Sequence, residues 1–139
     1  MVSKVFLDAN ILLDLTLKRN DHEKARYIIE LAEVNKLQLF ISTSIVHILG
    51  HYLTQYYGHE KAKQLILELL VNITVIDISH EVILTALHSK IADIEDALQY
   101  YTAIDYKLDY FISQDKKLKK NSLPILPIYT TKDFFDELI

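Results

Sequence analysis

Short apolar runs alternate with helical patterns along this chain, and that alternation limits its fold more than any other feature. "KVFLD" reads as a buried strand closing on Asp8, followed by a helical "NILLDLTLKR". In "HEKARYIIELAEVNK", Ala25, Ile28, Ile29 and Ala32 recur at helical spacing, and Asp21 stands where a cap would stand. "LQLFIS" is a second strand. Ser42, Thr43 or Ser44 can cap "IVHILGHYLTQYYG", and "HEKAKQLILELLVN" is another amphipathic helix. The β-branched "ITVIDIS" gives a third strand, and two helices follow, "HEVILTALHSK" and "DIEDALQYYTAIDYK". "LDYFISQ" is a fourth strand, "LPILPIY" a short fifth, and "TTKDFFDELI" a capped last helix. Strands separated by helices need crossover connections, which give a parallel sheet covered on both faces. The expectation is a single domain over residues 1–139, an α/β fold built as a three-layer α/β/α sandwich with a parallel sheet of about five strands.

Composition then removes whole classes of function. The only glycines are Gly50 and Gly58, so neither a Walker P-loop nor a Gly-rich dinucleotide turn can be built. Without cysteine there are no disulfides, thiolate zinc sites or cysteine nucleophiles. No serine sits in a nucleophile-elbow context. A net charge of −4 argues against holding nucleic acid by bulk charge, though a local site rebalanced by cations is compatible with it. No apolar run approaches the roughly 18–20 residues that cross a bilayer, and "MVSKVFLDAN" does not read as a signal peptide. A cytoplasmic protein with no membrane partner is expected.

Ligands of parallel sheets bind beyond the carboxyl ends of the strands, where strand order reverses. Asp8 closes the first strand and Asp115 follows "YFIS". Asp93, Glu95 and Asp96 open the helix leading into that strand, and the spacing of three sets Asp93 and Asp96 on one face, with Glu95 on another. If the two strands are neighbours, these acids converge. Like charges at close range must be hydrated, protonated or bridged by cations. Oxygen-only ligands favour hard ions such as Mg²⁺ or Mn²⁺. The bland alternatives are helix capping by Asp8, and favourable charge at a helix N-terminus for Asp96.

At these residues the chain resembles PIN-domain nucleases. "FLDANILLD" is similar to the family's opening motif, "DIEDALQYYTA" to its central acid and apolar helix, and "FISQD" to its late strand with a hydroxyl and an acid. The compact length is most like the VapC-type toxin branch. The resemblance implies a Mg²⁺- or Mn²⁺-dependent endoribonuclease, a homodimer, and a toxin held in check by an antitoxin protein. Residue by residue, it implies that Asp8, Asp96 and Asp115 hold metal, with Asp93 as an extra acid. It also implies that Asn10 and Ser113 position water or phosphate.

One departure from the family pattern stands out. The family usually carries a Glu on the helix after the second strand, and here the aligned position is Ile48 or His47, with no acid nearby. Either Asp93 supplies the missing charge, or one metal serves, or the chain is a catalytically impaired PIN-like module that binds RNA or protein. Basic residues flank the acids on both sides. Lys116 and Lys117 follow Asp115, and Lys18 and Arg19 stand on the opposite rim; each group either contacts RNA phosphates or is a solvated loop.

Overall fold

The structure is a computed structural model, and it describes residues 2–139. Its centre is a five-stranded, wholly parallel sheet in the order β3-β2-β1-β4-β5. The strands are β1 (Ser3–Leu7), β2 (Leu37–Ser42), β3 (Ile73–Ile76), β4 (Tyr110–Ile112) and β5 (Ile128–Tyr129). Eight helices connect or follow them: α1 (Ala9–Thr16), α2 (His22–Glu33), α3 (Thr43–Tyr57), α4 (His59–Leu69), α5 (His80–Leu87), α6 (Ile94–Asp105), α7 (Lys116–Lys120) and α8 (Thr131–Leu138). The α/β architecture with a parallel sheet of five strands is therefore as the alternation predicts.

Strand order reverses at β1, because β2 and β3 extend to one side and β4 and β5 to the other. Leu7 pairs with Ile112, so the chain positions that follow, Asp8 and Ser113, emerge side by side. The Asp8 amide donates to the Ile112 carbonyl at 3.0 Å. The sheet centre is fully buried. Phe6 stacks on Phe111 at 5.0 Å between centroids, and Tyr100 of α6 meets Phe111 edge-on at 5.6 Å. Each such pair is worth about 0.5–1.5 kcal/mol beyond its buried area. The Tyr100 hydroxyl donates to the Leu126 carbonyl and accepts from the Leu123 amide, both at 2.7 Å. Those bonds tie α6, one turn beyond Asp96, to the segment that leads into β5.

Local signals explain the helix ends. Ser42 accepts from the Ile45 amide and caps α3, and Gly58 closes α3 with a positive φ of 88°. Thr130 caps α8 through the Asp133 amide. Asp21 occupies its expected position, but with φ of 65° and no capping bond; it lies 3.7 Å from Lys24 instead. "QDKKLKK" was open to a loop reading, and it forms the short helix α7 because Asp115 caps it. Among the described residues, no helix is long and apolar enough to cross a membrane.

Candidate metal centre at the β1 and β4 ends

Four sequence-predicted acids meet at the switch in strand order. Asp8 sits directly after β1 in the N-cap position of α1, yet its side chain makes no capping bond. Its Oδ2 accepts the Ser113 hydroxyl at 2.8 Å, and the Ser113 Oγ accepts the Asp115 amide at 3.1 Å. Ser113, fully buried, thus ties the end of β1 to the turn after β4. Asp115 caps α7 through Oδ1, which accepts the Lys117 and Leu118 amides at 2.9 and 3.3 Å. Gln114 beside it donates to the Thr131 hydroxyl at 2.7 Å and accepts the Thr131 amide at 3.2 Å, which fixes this turn against α8.

Asp93 and Asp96 come from α6. Asp93 is its N-cap, with Oδ1 accepting the Asp96 amide at 2.9 Å. Asp96 is half-buried and makes no side-chain hydrogen bond within the described residues. Burial raises its carboxyl first, then the charges of Asp8, Asp93, Asp115 and Glu95, up to about 7. Asp8 is raised as well: burial dominates, the Ser113 hydroxyl and Ala9 amide oppose it, and Asp115 and Asp93 add to it. The spacing argument set Glu95 apart, but it too is raised, by burial and then by Asp93 and Asp8. Five carboxylates therefore share one field, one more than the spacing argument places there.

This donor set fits a hard divalent ion. It offers only oxygen, and a half-buried carboxyl raised by burial and then by its neighbours' charge is the condition a cation relieves. Among the described residues, no three of these groups stand close enough to enclose an ion unaided. Mg²⁺ does not require that, since it retains several waters and takes one or two carboxylates. A cavity of about 770 Å³ opens beside Asp93, Asp96 and Asp115, and Lys117 also lines it.

The other predicted residues are placed differently. Asn10 is exposed at the start of α1, and Arg19, beyond the end of that helix, donates from Nη2 to the Asn10 Oδ1 at 3.3 Å. Arg19 also donates from Nε to Asp14 at 3.0 Å. Lys18 and Arg19 line a separate cavity, and Lys116 is exposed and lies outside the acid one.

Sequence reasoning missed a neutral cluster at the end of β2. There the Ser42 hydroxyl donates to the Gln99 Oε1, and the Gln99 Nε2 donates to the Ser44 Oγ. Gln99 is three residues past Asp96, so the same helix face serves both clusters; that spacing was the available signal. His47 is exposed, whereas Ile48 packs against the core. Neither residue at the α3 position where the family pattern has its Glu is an acid.

Comparison with known proteins agrees with this fold. Residues 4–117 match the family profile described as PIN domain. VapBC2 of Rickettsia felis, crystallised on a DNA fragment from its promoter, superposes with a TM-score of 0.72 at 18% identity, over 91% of this chain and 98% of that one. The sarcin-ricin-loop-cleaving toxin VapC20 of Mycobacterium tuberculosis does so with 0.66 at 14% identity, over 84% and 93%. A toxin–antitoxin complex from Klebsiella pneumoniae gives 0.64 at 21% identity, over 88% and 94%. At these identities the likeness concerns the fold. No curated relative matches the chain.

Proposed function

The chain belongs to the PIN-domain family, and from that premise we propose that it is a Mg²⁺- or Mn²⁺-dependent endoribonuclease. The observation that carries this reading is the gathering of acids from the ends of β1 and β4 and the start of α6 where strand order reverses, with Asp96 among them half-buried and raised to about 7 by burial and by its neighbours' charge. A fold has no structural need of such a group, and a bound cation would make sense of it. Asp8, Asp96 and Asp115 would hold the ion, with Asp93 adding charge. When bound, Mg²⁺ or Mn²⁺ supplies the Lewis acidity that phosphodiester hydrolysis at neutral pH requires.

The chain's own residues do the positioning. Ser113 orients Asp8 by donating to its Oδ2, and it holds the Asp115 backbone in the same hydrogen-bonded unit. Asp93 fixes the start of α6, which sets the direction of Asp96. Asn10, on the rim, is available to a water or phosphate oxygen through its amide nitrogen, because Arg19 occupies its carbonyl oxygen.

A toxin function, restrained by an antitoxin protein, is supported by the architecture shared with toxin–antitoxin complexes. A groove of about 710 Å³ also supports a protein partner. Leu15, Leu17, Ile29 and Leu65 give it an apolar floor, and Lys18 and Arg26 stand at its rim, which suits an amphipathic helix. A cytoplasmic homodimer belongs to the same reading. The second reading, a catalytically impaired PIN-like module that binds RNA or protein, is favoured by the lack of an acid at His47 and Ile48 on α3.

Calorimetric titration with Mn²⁺, paired with RNA cleavage by wild type and Asp96→Asn, separates the two. Metal binding and cleavage lost together in the variant are the expected result. RNA binding by wild type with neither metal uptake nor cleavage would establish the second reading instead.

A further inference from the structure

The cavity beside the acids carries unlike charges. Asp93, Asp96 and Asp115 line it together with Lys90, Lys117 and Lys120, so both kinds of charge face one concavity. Lys90 lies in the connection between α5 and α6, while Lys117 and Lys120 are three apart on α7 and so share a face. All three are exposed. Among the described residues none of them forms an ion pair, although carboxylates line the same cavity. Lys119, between the two on α7, is instead paired with Asp133 of α8.

The opposite rim is different. Arg19 is engaged by Asp14 and Asn10, and Lys18 faces other cavities. Among the described residues, the unpaired cations that share a cavity with the acids are therefore Lys90, Lys117 and Lys120. Three cations that repel one another, set around a concavity they share with three carboxylates, match a ligand with several spaced negative charges that reaches a metal-loaded acid cluster. A polynucleotide backbone has that form, and RNA is most often recognised through single-stranded segments whose phosphates and bases are accessible.

We propose that Lys90, Lys117 and Lys120 hold backbone phosphates of a single-stranded RNA on the α7 side of the scissile bond, so that the site grips its substrate from one flank. This rests on the nuclease reading above. It names Lys90 and Lys120 as positioning residues beyond those the sequence motifs suggest, and it makes a strand extending past the cleaved bond a better substrate than a small phosphodiester.

The test uses the full chain and Lys90→Gln, Lys117→Gln and Lys120→Gln. Lys36→Gln is the charge-matched control, since Lys36 precedes β2 at the opposite edge of the sheet. Binding of a labelled single-stranded RNA is followed against salt, with Ca²⁺ replacing Mg²⁺ to slow hydrolysis. Cleavage is then compared on RNA and on bis(p-nitrophenyl) phosphate, which has no flanking phosphate. Each cavity variant is expected to lower the salt slope by ~0.7, to raise KM for RNA several-fold, and to lose more activity on RNA than on the small diester. The control should behave as wild type. Unchanged slopes and KM in all three cavity variants, with wild type still cleaving RNA, would overturn the lysine assignment and leave the nuclease reading standing. A wild type that neither takes up Mn²⁺ nor cleaves either substrate would remove that reading, and the assignment with it.

Discussion

Two clusters lie at adjacent strand ends on the same edge of the sheet, and the same helix serves both. At the ends of β1 and β4, Asp8, Asp96 and Asp115 gather charge, and Asp8 and Asp96 are raised above the ordinary carboxylate range. At the end of β2, Ser42, Gln99 and Ser44 close a neutral cluster in which every polar group has a partner. Among the described residues no buried side-chain nitrogen or oxygen lacks one. The contrast shows what this fold needs by default. A buried polar end can be satisfied with hydroxyls and an amide at no electrostatic cost, so the charged end next to it is a departure that stability does not ask for.

The largest test removes the charge at its centre. Asp96→Asn is expected to lower RNA cleavage by ~10²-fold or more, since metal-borne charge stabilisation is worth several kcal/mol. The same substitution should change how the metal-free protein responds to pH. Asp96 has a folded-state value raised from 3.8 to about 7. Its contribution to stability is therefore fully present below about pH 4 and is lost as pH rises through about 7. Metal-free wild type should unfold progressively more easily across that interval, with Asp8 adding in the same direction. Asn at 96 should flatten the trend, and Mn²⁺ should reverse it for wild type. Urea unfolding over this pH range, with and without Mn²⁺, reads all three. Equal slopes in wild type and variant would mean that the two strand ends are not electrostatically different.

Ser113→Ala sharpens the comparison within the charged end. The hydroxyl donates to Asp8 and accepts from Asp115, so its loss frees both groups while removing no charge. Orienting bonds of this kind typically matter 10- to 100-fold in metal affinity, and we expect Mn²⁺ affinity to fall ~10-fold, with kcat falling less than in Asp96→Asn. An unchanged affinity would separate Asp8 from the metal.

Gln99→Ala addresses the neutral end. It leaves Ser42 and Ser44 without their amide partner in a buried place, which costs about 1–3 kcal/mol of stability. Mn²⁺ affinity should stay within a few-fold of wild type, because Gln99 carries no charge and does not line the acid cavity. A drop in affinity as large as that of Ser113→Ala would show the two ends to be one unit coupled through α6.

How far these ends could be read beforehand depends on what each residue type advertises. The sheet was legible because strand and helix periodicities alternate without interruption, and because Asp8 and Asp115 mark strand ends by their charge. The convergence of "KVFLD" and "YFIS" was conditional until β1 and β4 were seen to pair. Gln99 was only half legible: its spacing of three from Asp96 sets it on the same helix face, but its meaning depends on two serines 57 and 55 residues away. Helix α7 was hidden for a different reason. "KKLKK" has charge repulsion and a single apolar residue, Leu118, and only the Asp115 cap and burial of Leu118 make it helical. Which lysines face the acids then follows from that helix, so composition alone could not separate Lys117 and Lys120 from Lys116 and Lys119.

That last division supports the mildest prediction. Lys119→Gln removes a cation two residues from Lys117 and one from Lys120, so a reading based on nearby charge alone would expect it to weaken RNA binding as they do. The structure assigns Lys119 to Asp133 on α8, away from the cavity, with both side chains about one-third exposed or more. Exposed pairs of this kind add little to stability, because water already solvates both charges. The unfolding midpoint, the Mn²⁺ affinity and the salt dependence of RNA binding should therefore all stay close to wild type. A loss of RNA affinity with an unchanged midpoint would mean that α7 presents its charge as a diffuse field, and the distinction between its two faces would fail. A loss of Mn²⁺ affinity would instead mean that the tie to α8 holds Asp115 in place, which would extend the charged strand end through α7 as far as the last helix.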